Sequence, residues 1–124
     1  MLASSTLQTI VWTSRIPEAE KFYGEVLGLR FKARSHDALV YDVGGSDLRI
    51  WSVPSTQPSA HSVLGFAVLD VRTAVESLTE RGIRFERIAG FSHDSIGILT
   101  TPDGSRVAWF RDPDGNLLSI VQYA

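Results

Sequence analysis

The chain has 124 residues, of which 44% are hydrophobic and 21% are charged, and twelve Lys and Arg against fourteen Asp and Glu give a formal net charge of −2. This composition is typical of one globular domain, with no basic run to bind nucleic acid and no apolar stretch of the ~20 residues that a membrane span needs. The absence of cysteine excludes disulfides, thiolate catalysis and Cys-bound zinc, and the absence of a signal-peptide pattern leads us to expect a cytoplasmic protein.

The first half of the chain predicts a strand, a helix and three further strands. The strand LQTIVWT (7–13) precedes a helix in which Pro17 suits the first turn, because the N–H that proline lacks would have no partner there. Apolar residues then recur at helical spacing until Gly28, the expected C-terminal stop. Turns separate the three strands that follow, LRFKAR, ALVYDV and DLRIWSV.

The second half repeats this order after a polar linker at 54–61. The strand SVLGFAV (62–68) precedes a helix that begins at the N-cap Asp70 and ends at Gly82. Strands are predicted in IRFERI, GILTT, SRVAWFR and NLLSIVQ, and the Pro-Asp-Gly sequences of TPDGS and DPDGN predict tight hairpin turns. We therefore predict an α+β fold of two βαβββ modules, at about 7–53 and 62–123.

Two motifs in these modules resemble the vicinal oxygen chelate superfamily, which includes glyoxalase I, extradiol dioxygenases and bleomycin-resistance proteins. They are FYGEVLGLRF (22–31) and FRDPDGN (110–116), and the resemblance covers nearly the whole chain. It implies a single domain, residues 1–124, whose modules form a curved mixed sheet around a cleft with the helices on the outer face. The motifs are specific for the superfamily and say little about the activity.

The resemblance also indicates where a metal would bind. Catalytic members hold a divalent metal with His or Glu side chains on the first and last strands of each module, and the matching positions here are Gln8, Arg49, Val63 and Ser119. Divalent metals need several converging His or carboxylate ligands, whereas valine has no donor and arginine repels a cation. We therefore expect neither a metal nor any other cofactor.

The histidines lie in loop-like segments. Among them, His93 is the candidate for acid–base chemistry, because the long connection GFSHDSIG (90–97) could overhang the cleft. A solvated polar loop is the plainer interpretation of the same sequence.

All three tryptophans take strand positions that the resemblance assigns to the cleft. Side chains alternate faces along a strand, so Trp12 follows from Gln8 and Trp51 follows from Arg49. The predicted ligand-binding set is Gln8, Trp12, Arg49, Trp51, Trp109, Arg111 and Ser119. Indole and guanidinium groups together favour a planar aromatic ligand with an anionic group. The alternative is that the tryptophans pack in a core or a dimer interface.

Two functions remain open from the sequence. The leading hypothesis is a metal-independent binding protein that sequesters or carries a small aromatic or amphipathic ligand. The alternative is an enzyme of the same superfamily, a glyoxalase-like lyase or isomerase or a dioxygenase-like protein, acting on a small metabolite; without metal it would use His93, Tyr41 or Tyr23 as acid or base. A half-open sheet leaves apolar surface to be covered, so we also expect a symmetric homodimer.

Overall fold

The computed structural model describes all 124 residues, which divide into two compact units, Met1–Gln57 and Pro58–Ala124. Each unit contains one four-stranded mixed sheet with the element order βαβββ. The predicted α+β fold of two βαβββ modules is therefore confirmed. None of the helices has the length and apolar character needed to cross a lipid bilayer.

The first unit begins with a short 3-10 turn at Leu2–Ser4. Its sheet has the order β1-β4-β3-β2, in which β1 is parallel to β4 and the other pairs are antiparallel. The elements that follow the 3-10 turn are β1 (Thr9–Thr13), α1 (Ile16–Glu20), a π-helical turn that continues α1 (Lys21–Val26), β2 (Arg30–Arg34), β3 (Ala38–Val43) and β4 (Ser46–Ser52).

The helical segment packs on one face of this first sheet. Tyr23, in the π-helical turn, is fully buried, and its ring centroid lies 6.4 Å from that of Tyr41 on β3. Gly28 ends the helical segment as predicted, with a φ of 70° that glycine adopts without strain. The residues of the strands that are buried on this face are Val11, Thr13, Leu39, Tyr41, Leu48 and Ile50.

The second unit has the sheet order β5-β8-β7-β6, with β5 parallel to β8. Asp70 caps its helix as predicted, because its Oδ1 accepts a hydrogen bond from the Thr73 N–H at 3.1 Å. Gln122 adds a second cap, since its Oε1 accepts from the Val71 N–H at 2.9 Å. The elements are β5 (Leu64–Ala67), α2 (Val71–Glu80), β6 (Leu99–Thr100), β7 (Arg106–Arg111) and β8 (Leu117–Gln122).

The prediction of a strand in IRFERI (83–88) is wrong, because this segment makes only a single β-bridge between Glu86 and Trp109. The segment bonds instead to the loop that follows it. The Ile88 N–H donates to His93 Nε2 at 2.9 Å, and the Arg87 guanidinium donates to the Asp94 carbonyl at 2.8 Å. These local partners replace those that a continuous ladder would supply.

Both Pro-Asp-Gly sequences form the predicted hairpin turns. In the turn between β7 and β8, the Gly115 N–H donates to the Asp112 carbonyl at 2.9 Å, and Gly115 has a φ of 87°. In the turn between β6 and β7, the Gly104 N–H donates to the Thr101 carbonyl at 2.9 Å. The motif FRDPDGN that carries the family resemblance is thus a strand connection, which explains why it identifies a fold rather than an activity.

Candidate functional site

Two tryptophans lie side by side on the solvent-exposed face of the first sheet. Trp12 on β1 and Trp51 on β4 are register partners, and they are 58% and 44% exposed. Ile10 and Arg49 are also register partners and share this face, because they lie two residues before the tryptophans. We call Gln8, Ile10, Trp12, Arg49 and Trp51 the Trp face. Its open part runs along β1 and β4, since Ala38, the neighbour of Trp51 on β3, is buried.

Arg49 is held in a defined orientation on the Trp face. Its Nε donates a hydrogen bond to Gln8 Oε1 at 2.9 Å, and its Nη2 lies 3.9 Å from Asp47 Oδ2. Lys32 Nζ donates to Asp47 at 2.7 Å, which lowers the pKa of the Asp47 carboxyl despite an opposing effect of desolvation. Asp47 therefore stays ionised at neutral pH. It shares its charge between two cations, so Arg49 retains attraction for an anion.

On the second sheet, Ser119 and Trp109 are register partners on β8 and β7. They help to line an open groove of about 490 Å³ that also includes Val107, Val121 and Tyr123. The Ser119 hydroxyl is hydrogen-bonded to the Ser62 hydroxyl at 3.1 Å. Neither this bond nor the role of Ser62 follows from the spacing of the sequence, because the two serines are 57 residues apart.

Glycine beside Ser119 makes room for its hydroxyl. Gly65 on β5 is the register partner of Ser119, and a Cβ at Gly65 would lie 3.0 Å from Ser119 Oγ. This is tighter than nine in ten real contacts of a Cβ atom, so a side chain at Gly65 would require Ser119 to move by a few tenths of an ångström. The small hydroxyl is therefore suited to the space that the neighbouring strand leaves.

Arg111, the other predicted cation, is more firmly engaged than Arg49. Its Nε donates to Glu86 Oε2 at 2.8 Å, and its Nη1 donates to the Gly115 carbonyl at 2.9 Å. The first bond balances its charge, and the second holds the β7–β8 turn. Arg111 thus has less charge to offer an anionic ligand than Arg49 has.

His93 is bonded to the backbone through both ring nitrogens. Nε2 accepts from the Ile88 N–H at 2.9 Å, and Nδ1 lies 2.9 Å from the Gly97 carbonyl. A carbonyl only accepts and an N–H only donates, so these contacts require the neutral tautomer with its proton on Nδ1. The ring also meets Trp109 edge-on, with centroids 6.0 Å apart. In this position His93 organises the 88–97 loop and supports Trp109.

Asp94, the neighbour of His93, organises the same loop from the other side. Desolvation raises the pKa of its carboxyl, but hydrogen bonds from the Ile98 and Ile96 N–H groups, with the charge of Arg72, outweigh this effect and lower it. The carboxylate is therefore charged at neutral pH. The GFSHDSIG segment (90–97) is thus held by hydrogen bonds that both His93 and Asp94 form.

The positions that match metal ligands do not fit a divalent metal. The Gln8 amide oxygen is bonded to Arg49, and Val63 has no donor atom. Ser119 offers only a hydroxyl that is hydrogen-bonded to Ser62. No group of three or more His, Asp or Glu side chains converges in a way that could hold a metal ion. The chain's donor set therefore disagrees with the metal site that the resemblance implies.

Comparison with known proteins gives one family and a consistent set of folds. The family model of the Glyoxalase/Bleomycin resistance protein/Dioxygenase superfamily matches residues 6–120 of the sequence. Among solved structures, the chain is similar to TnmS3, an antibiotic binding protein from Streptomyces sp. CB03234, at 25% identity and a TM-score of 0.77, over 100% of this chain and 99% of that chain. No match is found among curated proteins.

Two further solved structures show the same fold at lower identity. A glyoxalase family protein from Enterococcus faecalis is 22% identical, with a TM-score of 0.73 over 98% of this chain and 99% of that chain. Lactoylglutathione lyase from Agrobacterium tumefaciens is 20% identical, with a TM-score of 0.70 over 96% of this chain and 93% of that chain. At these identities the similarity defines the fold and not the reaction.

Proposed function

This chain belongs to the glyoxalase/bleomycin resistance protein/dioxygenase superfamily, and we propose that within it the protein is a metal-independent binder of a small planar aromatic molecule with an anionic group. The observation that carries the proposal is the Trp face. Trp12 and Trp51 lie side by side and half-exposed beside an arginine whose orientation is fixed by Gln8. A flat ligand on these rings would bury apolar surface, and its anionic group would pair with Arg49.

The similarity to an antibiotic binding protein supports binding rather than catalysis. TnmS3 matches this chain over its whole length and has the highest identity of the three structures described above. TnmS3 is an antibiotic binding protein, and we extend to this chain only the general idea of small-molecule binding. The ligand itself is proposed from the chemistry of the Trp face.

The other three residues of the predicted ligand-binding set, Trp109, Arg111 and Ser119, lie on the second sheet. Trp109 and Ser119 line an open groove and present an indole and a hydroxyl there. Arg111 completes the set, although its charge is balanced by Glu86, whose Oε2 lies 2.8 Å from Arg111 Nε. We therefore expect Arg49 to contribute more than Arg111 to the recognition of an anion.

An enzymatic function would require a group that is free to move a proton. Both nitrogens of His93 are bonded to the backbone, and Tyr41 is 1% exposed on the helix-covered side of the first sheet. Neither arrangement favours acid–base chemistry on the Trp face. Turnover of a bound aromatic compound, followed by chromatography of the mixture, would support the enzymatic alternative instead.

We expect the protein to contain no stoichiometric divalent metal, because Gln8, Arg49, Val63 and Ser119 do not form a ligand set. Metal analysis of protein purified without chelator should find well below one equivalent of zinc, nickel, manganese or iron. Titration of an aromatic carboxylate, with tryptophan fluorescence as the readout, should give the same Kd before and after treatment with chelator. One equivalent of metal held by any of these four residues would contradict the proposal.

We also propose that the protein is a symmetric homodimer. Several large apolar side chains are exposed, among them Leu69 at 97% and Phe91 at 65%, and a partner subunit would cover such surface. Sedimentation at micromolar concentration should show a species of twice the 13.7 kDa chain mass, with an interface of about 1,600 Å² or more. A single monomeric species at that concentration would refute this expectation.

A further inference from the structure

The side of the first sheet opposite the Trp face contains a groove that the proposed function does not use. The groove has a volume of about 550 Å³ and lies between the helical segment and β2–β3. Tyr41 points to this side, because it pairs in register with Leu48, which is buried there and alternates with Arg49 and Trp51 along β4. We call this the Tyr41 groove; its other lining residues include Glu20, Lys21, Gly24, Glu25 and Phe31.

The Tyr41 hydroxyl has no hydrogen-bond partner although the residue is 1% exposed. It is the one buried side-chain polar atom of the protein that lacks a partner. Buried polar groups are nearly always bonded, and an unbonded one is costly, so this hydroxyl calls for an explanation. Desolvation, with the negative charge of Glu20, raises the pKa of Tyr41 against the opposing charge of Arg34. The phenol therefore keeps its proton and can donate it to an acceptor.

Gly24 lies over this hydroxyl in the π-helical turn Lys21–Val26. A Cβ at Gly24 would be 3.5 Å from the Tyr41 hydroxyl oxygen, which is ordinary van der Waals contact. The packing of the protein alone therefore permits alanine, which is the better helix former. With glycine, only backbone atoms lie over the Tyr41 hydroxyl at this position. The π-helical turn is a second indication, because such turns occur frequently at functional sites.

The rim of the Tyr41 groove has balanced charge. Glu20 forms an ion pair with Arg34, and Lys21 and Glu25 bring one charge of each sign. Phe31 is 50% exposed and packs its edge against the Tyr41 ring at a centroid distance of 5.8 Å. A charged ligand would gain little from such a rim, whereas an uncharged aromatic ring has an apolar surface to lie against.

We propose that the Tyr41 groove is a second binding site, which takes a small uncharged aromatic compound with a carbonyl oxygen. The ring lies against Phe31, and the carbonyl accepts the hydrogen bond of the Tyr41 hydroxyl after a small outward shift of the turn at Gly24. The ligand thus supplies the partner that the hydroxyl lacks in the free protein. This site is distinct from the Trp face, because the two lie on opposite faces of one sheet.

Benzamide is a suitable probe, and toluene is its control because it has the ring without the acceptor. We expect benzamide to cause saturable NMR shifts of the Gly24 and Phe31 backbone amides. Tyr41→Phe should weaken the binding of benzamide about fivefold, which is the effect of losing one neutral hydrogen bond. It should leave the affinity for toluene unchanged. Gly24→Ala should also weaken benzamide, because its methyl group would cover the hydroxyl. The control Ser77→Ala, which removes an exposed hydroxyl from α2 in the second unit, should change nothing.

Thermal unfolding of the same variants gives an independent readout. Tyr41→Phe should unfold at the same temperature as wild type or higher, because no hydrogen bond is lost. A clear fall in the unfolding temperature of Tyr41→Phe would show that the hydroxyl is bonded in the free protein and would overturn the proposal. Shifts that are absent at Gly24 and Phe31, or equal benzamide affinities for wild type and Tyr41→Phe, would overturn it as well. These outcomes do not depend on what the Trp face binds.

Discussion

Replacing Trp51 with alanine is expected to weaken the binding of an aromatic carboxylate about thirtyfold, or about 2 kcal/mol. Trp51 is 44% exposed in the free protein and adjoins Trp12, so a ligand on this face would cover both rings. Truncation removes one of the two indole rings that form the flat apolar surface and leaves that side of the ligand in contact with water. Fluorescence titration of a panel of aromatic carboxylates and their neutral amides measures the effect, with calorimetry as a second readout.

Two variants accompany Trp51→Ala. Arg49→Ala should weaken the binding of carboxylates less than Trp51→Ala does, and it should hardly affect the binding of neutral amides. Its effect should decrease as salt is added, because the Arg49 side chain is 38% exposed and its charge is screened. Leu2→Ala is the control, since Leu2 is a large apolar residue that is 77% exposed outside the Trp face. If Trp51→Ala binds every responsive ligand as tightly as wild type, the tryptophans are packing residues and the proposed site is incorrect.

Replacing Asp112 with alanine is expected to lower the free energy of unfolding by about 3 kcal/mol. Asp112 is 6% exposed, and its Oδ1 accepts from the backbone N–H groups of Asp114 and Asn116 at 3.0 and 2.8 Å. Its Oδ2 accepts from the Asn116 side-chain amide at 2.9 Å. Alanine would leave these donors without the acceptor that holds the turn between β7 and β8. Urea denaturation followed by circular dichroism measures the loss.

Asp112→Asn provides the matched control for the Asp112→Ala prediction. An asparagine Oδ1 can still accept from both backbone N–H groups, and the Asn116 amide can rotate to offer its oxygen to the new NH₂ group. We expect this variant to lose about 1 kcal/mol, clearly less than Asp112→Ala. Equal losses for the two variants would mean that the charge of Asp112, rather than its hydrogen bonds, stabilises the turn.

The local features of the sequence were sufficient to predict most of the architecture. Proline at the first turn of α1, Asp70 as the cap of α2 and the two Pro-Asp-Gly turns each depend on a few neighbouring residues. The two-residue period of a strand likewise determines that Trp12 shares a face with Gln8, and Trp51 with Arg49, whatever the strands pair with. Periodicity also separates this face from the buried one, which has Val11, Leu48 and Ile50 at alternate positions of β1 and β4.

Features that depend on residues distant in the sequence, or on how a loop closes, were decided only by the tertiary structure. IRFERI has the composition of a strand, yet the 88–97 loop folds back so that His93 and Asp94 take its hydrogen bonds. Ser62 becomes the partner of Ser119 because β5 and β8 lie side by side. The Tyr41 hydroxyl is left without a partner where the π-helical turn brings Gly24 close to it. Propensity and periodicity describe the backbone and the face of each side chain. The partner of a polar atom depends on distances between separate elements, which no local pattern of residues contains.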